Sequence, residues 1–278
     1  MSIIIGIDAG ISSTKIIGIE NGNRIMTPMT ISSSDPISAI HGAFGKYLLT
    51  NHVKLEDVEQ VMLTGIGALK LTSLINGRPT TIVSEFKANG LGARFDTGLD
   101  QFVVVSMGTG TSLVRVDGEE ITHIGGIGMG GGTLQGLSRL LLNTSDIEEV
   151  LLLAEYGSAD FTNLKIKDIC ESKLGDLTGD ATASLFAKVL QHKPSDNVIA
   201  AGLIHMVLET IGSAAVLSQI NGGFKNFVLI GRLTELLTSF KYIFSQLESL
   251  YDVHFHIPKY APYCTALGAA LIYKYEND

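Results

Sequence analysis

Two strings of glycine and hydroxyl side chains, far apart in the chain, carry the first legible chemistry. GIDAGISSTK occupies residues 6–15 and SMGTGTS residues 106–112. Laid over each other, Asp8 falls on Ser106, Gly10 on Gly108, and Ser13-Thr14 on Thr111-Ser112. Glycine lets a backbone approach a phosphate closely, while turn N–H groups and hydroxyls supply donors to it. Each string lies between short β-branched apolar runs, over residues 2–19 and 101–116, so each reads as a hairpin. Two such hairpins facing across a cleft would hold a nucleotide's phosphate tail from both sides.

The pattern between the hairpins predicts what positions them. Asp35-Pro36 is an N-cap with proline at N1, opening a helix that runs to residue 51. VEQVMLTG at 58–65 reads as a strand, a short helix follows, and TTIVSEF at 80–86 reads as another strand, with a helix from residue 87. This first half is β-β-α-β-α-β-α, which suits a mixed sheet with helices on its faces. After the second hairpin, residues 125–132 hold six glycines before a helical period sets in through residue 142. So much glycine permits close packing, but its cost in chain entropy favours a ligand-approach loop feeding a helix N-terminus. Helices are predicted near 145–157, 180–192 and 196–220, the last almost charge-free and so buried on most faces. A strand at 226–231, a helix, a strand at 252–257 and a helix at 265–275 close the chain. With no Pro- or Ser-rich linker, the reading is two packed α/β lobes, 1–100 and 101–278, with a cleft between them.

Composition narrows the function. Hydrophobic residues make up 45% of the 278 and charged residues 17%, as in a compact globular protein. The net charge of −8, without a Lys/Arg stripe, disfavours a nucleic-acid partner. No basic-then-apolar leader and no apolar run of transmembrane length is visible, so a cytoplasmic protein with no membrane partner is expected. Cys170 and Cys264 are isolated thiols, and the histidines lack metal-ligand spacing, the alternating His254 and His256 included. No GxxxxGK[ST] string occurs, which excludes P-loop kinases.

In this order the hairpins, and the late strand ending at Gly231, resemble the actin/hexokinase/Hsp70-type nucleotide phosphotransferases. That resemblance implies two ribonuclease-H-like lobes of mixed β-sheets flanked by helices, the actin-like ATPase fold. Within that group the chain resembles the type II (eukaryotic-like) pantothenate kinases over nearly its whole length. The markers are IDAG at 7–10, EF at 85–86, GTGTS at 108–112, GGIGMGGGTLQGL at 125–137 and GDLT at 175–178.

The resemblance implies that ATP, with Mg²⁺, phosphorylates the primary hydroxyl of pantothenate, opening coenzyme A synthesis. Glu85 matches the general base and Asp8 the magnesium-binding carboxylate. Gly10, Ser12, Lys15, Gly108, Thr109, Gly110 and Thr111 match the phosphate cradle. The loop of Gly128, Gly130, Gly131 and Gly132 is expected to offer helix N-terminal N–H groups to phosphate. Gly231 ends the adenosine element, and the following Arg232 either stacks on the base or is a surface arginine. Ser106, His123, Thr178 and Tyr251 fall on the acceptor side. A homodimer built through the helix at 196–220 and, as in some relatives, an acyl-coenzyme A feedback ligand are also implied.

The sequence departs from the family pattern at several positions. Ile11 replaces the second glycine of the first turn and Ser12 a threonine. His123 stands where an arginine contacting the acceptor is usual. Lys87 replaces an acidic residue and is expected to lower the pKa of Glu85. Read from the residues alone, Asp8 is also an ordinary turn residue and Glu85 a solvated helix-start acid. Other readings are a kinase for another small alcohol or a sugar, an activator-type ATPase driving a partner enzyme, and a nucleotide- or acyl-coenzyme-A-binding regulator without turnover. Repressor-type sugar kinases carry a CxCGxxGC motif absent here, and the two cysteines are poorly spaced for an activator's cluster.

Overall fold

Isoleucine-rich runs become strands where both faces can be covered. In the computed structural model, which describes residues 2–32, 35–71, 74–170, 178–190 and 193–277, β1 (Ile3–Ala9) is buried throughout and β2 (Thr14–Glu20) nearly so. They pair antiparallel, with Asp8 opposite Lys15. β3 (Arg24–Ile25) and β4 (Met29–Ile31) pair with β2. α1 (Pro36–Thr50) starts as predicted, the Asp35 carboxylate accepting from the Ser38 N–H ahead of proline at N1. β5 (Val58–Thr64) and β6 (Thr80–Ile82) add in parallel, giving the order β3-β2-β1-β5-β6. α2 (Glu85–Thr97) then leads to the second lobe.

There β7 (Gln101–Met107), β8 (Thr111–Asp117) and β9 (Glu120–Ile127) form an antiparallel meander. α3 (Gly131–Leu142) and α4 (Ile147–Glu155) follow. An insert holds β10 (Leu164–Lys165), α5 (Ile166–Ile169) and β11 (Thr182–Ser184). Next come α6 (Asp196–Leu217), β12 (Asn226–Ile230), α7 (Leu237–Phe240), α8 (Tyr242–Tyr251), β13 (His254–His256) and α9 (Cys264–Asn277). β12 lies parallel to β7 and β13 to β12, so the second sheet runs β13-β12-β7-β8-β9. Strand for strand this repeats the first sheet, with β7 in the place of β1 and β12 in that of β5.

The sheets stack through helices. α1 packs Ile40, Phe44 and Tyr47 on the outer face of the first sheet. α6, with α4 and α8, covers the outer face of the second through Ile204, Leu208, Val150 and Phe244. Between the sheets lie α9, whose Ala266–Ile272 stretch packs on Ile4, Ile17 and Met62, and α2, whose Ala93 meets Phe102, Val104 and Val228. The two helices cross closely: Gly92 faces the Cys264 carbonyl and Gly268 the Ala88 carbonyl, leaving no room for a side chain at either glycine. At the crossing the buried Thr265 hydroxyl donates to Asn89 Oδ1 at 2.7 Å.

Two predicted elements change. The strand expected over 80–86 ends at Ile82, because the Ser84 hydroxyl accepts from the Lys87 N–H and caps α2, so Glu85 is the first helical residue. The helix expected over 180–192 is instead β11 and a 3₁₀ turn at Ala187–Leu190. Pairing with β10 takes Thr182 and Ser184, and Asn163 Oδ1 holds the Phe186 N–H at a left-handed φ of 59°. Residues 191–192 of that prediction lie outside the described residues. α6, at 22 residues, is long and apolar enough to cross a membrane, contrary to the sequence reading, but most of its apolar stretch is buried in the core.

Candidate active site

Where the two lobes face each other a cleft of about 430 Å³ opens, lined by both turns. The Gly10 N–H donates to the Ser13 carbonyl at 3.0 Å in the first turn, and the Gly108 N–H to the Gly110 carbonyl at 2.9 Å in the second. Behind each turn a glycine with positive φ ends the neighbouring parallel strand: Gly65 at 89° after β5 and Gly231 at 95° after β12. A Cβ on Gly65 would stand 2.6 Å from the Ala9 carbonyl oxygen, and one on Gly231 2.5 Å from that of Met107. Each glycine thus lets a 3₁₀ turn, Ile66–Lys70 or Arg232–Leu236, lie against the strand end that enters a cleft-lining turn.

The charged centre belongs to the first lobe. Lys15 Nζ lies 3.2 Å from Asp8 Oδ2, and both side chains are largely buried. Glu85, half-buried at the head of α2, lines the same cleft. Its pKa is raised, chiefly by burial and then by the negative charge of Asp8, with Lys15 opposing. Lys87 does not lower it as expected: its ammonium pairs with Glu276 at 2.9 Å. The helix start that sequence offered as an alternative for Glu85 is real, and the same position aims the carboxyl into the cleft.

Most of the predicted phosphate residues meet there: Asp8, Gly10, Ser12, Lys15, Gly108, Thr109, Gly110, Thr111, Gly131, Gly132 and Gly231 all line the cleft. Ser106 does too, directly across the ladder from Ser112. The glycine-rich loop does something the sequence reading missed. The N–H groups of Gly131 and Gly132 donate to the carbonyls of Gly108 and Thr109 at 2.8 and 2.9 Å, and the Thr111 hydroxyl donates to the Met129 carbonyl. Those two amides hold the second turn instead of facing a phosphate. Gly128 and Gly130 do not line the cleft; the Gly128 carbonyl accepts from the Thr133 hydroxyl, which in turn accepts from the Gly130 N–H.

Three acceptor-side residues stand apart. His123 is outside the cleft lining and stacks on Phe86, rings 4.0 Å apart and 11° from parallel. Thr178 and Tyr251 line a second cavity of about 240 Å³ between the insert, α6 and α8. Residues 175–177 of the GDLT marker lie outside the described residues. Conversely, sequence reasoning overlooked Gln135, Ile147, Leu233, Leu236, Ile66 and Thr265, which line the cleft with Arg232. The signal for Ile66 was available, since LTGIGALK and LIGRLTEL repeat one strand–glycine–turn pattern.

Paired sheets of one strand order, each with a glycine turn lining the cleft between them, define an actin-like ATPase fold. Over 100% of both chains the structure superposes on component A of (R)-2-hydroxyglutaryl-CoA dehydratase from Acidaminococcus fermentans, with a TM-score of 0.71 and 20% identity. Against a ROK family glucokinase from Streptomyces griseus the TM-score is 0.63 at 13% identity, over 98% of this chain and 99% of that one. These likenesses concern fold alone. The Fumble family pattern matches residues 96–271. A type II pantothenate kinase of Staphylococcus epidermidis is 32% identical, over 82% of this chain and 84% of that protein. One from Staphylococcus aureus is 31% identical, over 82% and 83%. The chain belongs to the Fumble family of type II pantothenate kinases, a family of ATP-using kinases.

Proposed function

We propose that this protein transfers the γ-phosphoryl group of ATP to the primary hydroxyl of pantothenate, giving 4′-phosphopantothenate and ADP, the opening step of coenzyme A synthesis in the cytoplasm. The observation that carries the reading is Glu85, a half-buried carboxylate of raised pKa in a cleft between two phosphate turns. As the alcohol oxygen attacks the γ-phosphorus, Glu85 takes its proton. The bond from the γ-phosphorus to the β,γ-bridging oxygen breaks, and its electron pair leaves on ADP. A raised pKa makes the carboxylate a better base near neutral pH. Lys15, with Gly10, Ser12 and Ser13 of the first turn and the second turn at Gly108–Thr111, would hold the phosphates in line, so that positioning and charge stabilisation supply the rest.

Asp8 fits a magnesium ion carried by ATP. Lys15 engages Oδ2, and Oδ1 lies against the backbone at Gly65, where any side chain would crowd it. Among the described residues no cluster of three or more His, Cys, Asp or Glu forms a metal cage. One carboxylate with phosphate oxygens is the usual magnesium arrangement, and the ion would neutralise charge on the transferring group.

Homodimerisation and acyl-coenzyme A feedback belong to the same proposal. α6, the expected dimer helix, gives most of its apolar faces to its own core and so offers little of them to a partner. Light scattering should give twice the chain mass of 29.7 kDa, and acetyl-coenzyme A should compete with ATP. For the activity itself, the protein with Mg-ATP and pantothenate, pantetheine, N-acetylglucosamine or glucose is assayed for ADP release and product mass. Phosphopantothenate is the expected product; turnover of a sugar alone would overturn the acceptor assignment.

A further inference from the structure

The cleft is built on a pseudo-twofold, yet its two lips differ in chemistry. Extending the overlay of the turns, Ile11 of the first falls on Thr109 of the second. By the repeat of the sheets, Ile66 after Gly65 corresponds to Arg232 after Gly231. All four side chains line the cleft. The second lobe thus shows the ligand a hydroxyl and a guanidinium where the first shows two isoleucines.

These isoleucines are not displaced core residues. Ile11 is 62% exposed and Ile66 60%, and neither belongs to a hydrophobic cluster of either lobe. Ile66 is held between two glycines pinned to the end of β1. A Cβ on Gly65 or on Gly67 would stand 2.6 or 2.9 Å from the same Ala9 carbonyl oxygen. Ala9 is the residue from which the chain enters the turn carrying Ile11, so the two isoleucines rise from adjoining backbone on the lobe that also supplies Asp8, Lys15 and Glu85. Leaving two large apolar side chains in water beside a charged centre forgoes their burial, unless a ligand covers them.

We propose that Ile11 and Ile66 are specificity-determining residues that pack against the two methyl groups on the carbon next to the reacting hydroxymethyl of pantothenate. The assignment rests on the pantothenate reading above. Glu85, Ile11 and Ile66 line the same cleft, so the assignment sets the carbon next to an attacking hydroxymethyl against this lip. In pantothenate that carbon is quaternary and apolar. In a sugar the neighbouring carbon carries oxygen, and a hydroxyl pressed on isoleucine loses water without gaining a partner. The lip therefore favours a branched aliphatic alcohol and disfavours a sugar with the same base and the same nucleotide site.

The test compares pantothenate with the analogue lacking both methyls, 2,4-dihydroxybutanoyl-β-alanine, in the wild type, I11A, I66A and the double variant. Both residues are largely exposed, so truncation should leave the fold intact, and an unchanged urea-unfolding midpoint checks this in each variant. One or two methyl groups in an apolar site change kcat/KM by roughly 10–200-fold. The wild type should therefore prefer pantothenate by at least about tenfold, and that preference should fall towards unity in the double variant. The loss should appear as a higher pantothenate KM, with ATP KM moving less than about twofold. Unchanged discrimination in the double variant, equal losses on both acceptors, or a matching rise in ATP KM would overturn this assignment and leave the kinase reading standing. Absence of pantothenate turnover in the wild type would overturn both.

Discussion

Replacing Glu85 by glutamine keeps the size of the side chain and removes its charge and basicity. General-base assistance contributes roughly 10²–10⁴ in rate, and it is most effective when the base has a pKa near the working pH. Burial and the Asp8 charge move Glu85 in that direction against the pull of Lys15. The expected fall in kcat is about 10³, or about 4 kcal/mol of transition-state stabilisation. ATP KM should stay within about threefold, because the proposed mechanism gives Glu85 the acceptor hydroxyl and leaves the phosphates to Lys15 and the two turns. The assay is coupled ADP release with Mg-ATP and pantothenate across pH. In the wild type the acid limb of kcat/KM should lie above the ordinary carboxylate range, since protonated Glu85 cannot accept the alcohol proton. D8N removes a charge that raises this pKa and should move the limb to lower pH. K15M removes one that lowers it and should move the limb higher. A loss under tenfold in E85Q, or a fall in kcat matched by a rise in ATP KM, would refute the reasoning.

The same group makes a stability prediction. Folded Glu85 holds its proton more tightly than the unfolded chain does, so the folded state binds more protons in the window between the two pKa values. Stability therefore falls as pH rises through that window, and the cost persists above it. E85Q should raise the urea midpoint at neutral pH and lose this advantage below the ordinary carboxylate range. At the helix crossing, N89A and T265V should each destabilise by about 1–3 kcal/mol, with a coupling of about 1 kcal/mol in a urea-unfolding double-mutant cycle. Additive losses would show that the hydrogen bond does not join the helices. G231A combines a positive φ with a Cβ 2.5 Å from the Met107 carbonyl oxygen; it should cost about 1–3 kcal/mol and raise ATP KM. Unchanged stability would mean that the strand end can move aside. K15M should weaken ATP binding and also lower stability, because it leaves the largely buried Asp8 carboxylate without its partner; nucleotide titration and urea melts follow the two effects.

Much of this protein was legible one segment at a time. The two hairpins, the capped start of α1, the buried length of α6 and the glycines ending β5 and β12 follow from backbone preference and short-range periodicity, which neighbouring residues encode. The same locality explains the failures. TTIVSEF sets a β-branched run directly before the Ser84 cap, so strand and helix signals compete there. In the fold the helix begins at Glu85, with α2 packed on α9. Residues 180–192 read as helical until β10, distant in sequence, offers Thr182 and Ser184 a ladder.

Site chemistry divides along the same line. Which residues bear hydroxyls, carboxylates and glycine near the turns was decided by sequence. That Thr178 and Tyr251 share another cavity, that Lys87 turns to Glu276, and that Gly131 and Gly132 bind the turn was decided only by folding. The environment that raises the pKa of Glu85 was decided there too, because burial and Coulomb coupling act through space between side chains that the chain order keeps far apart.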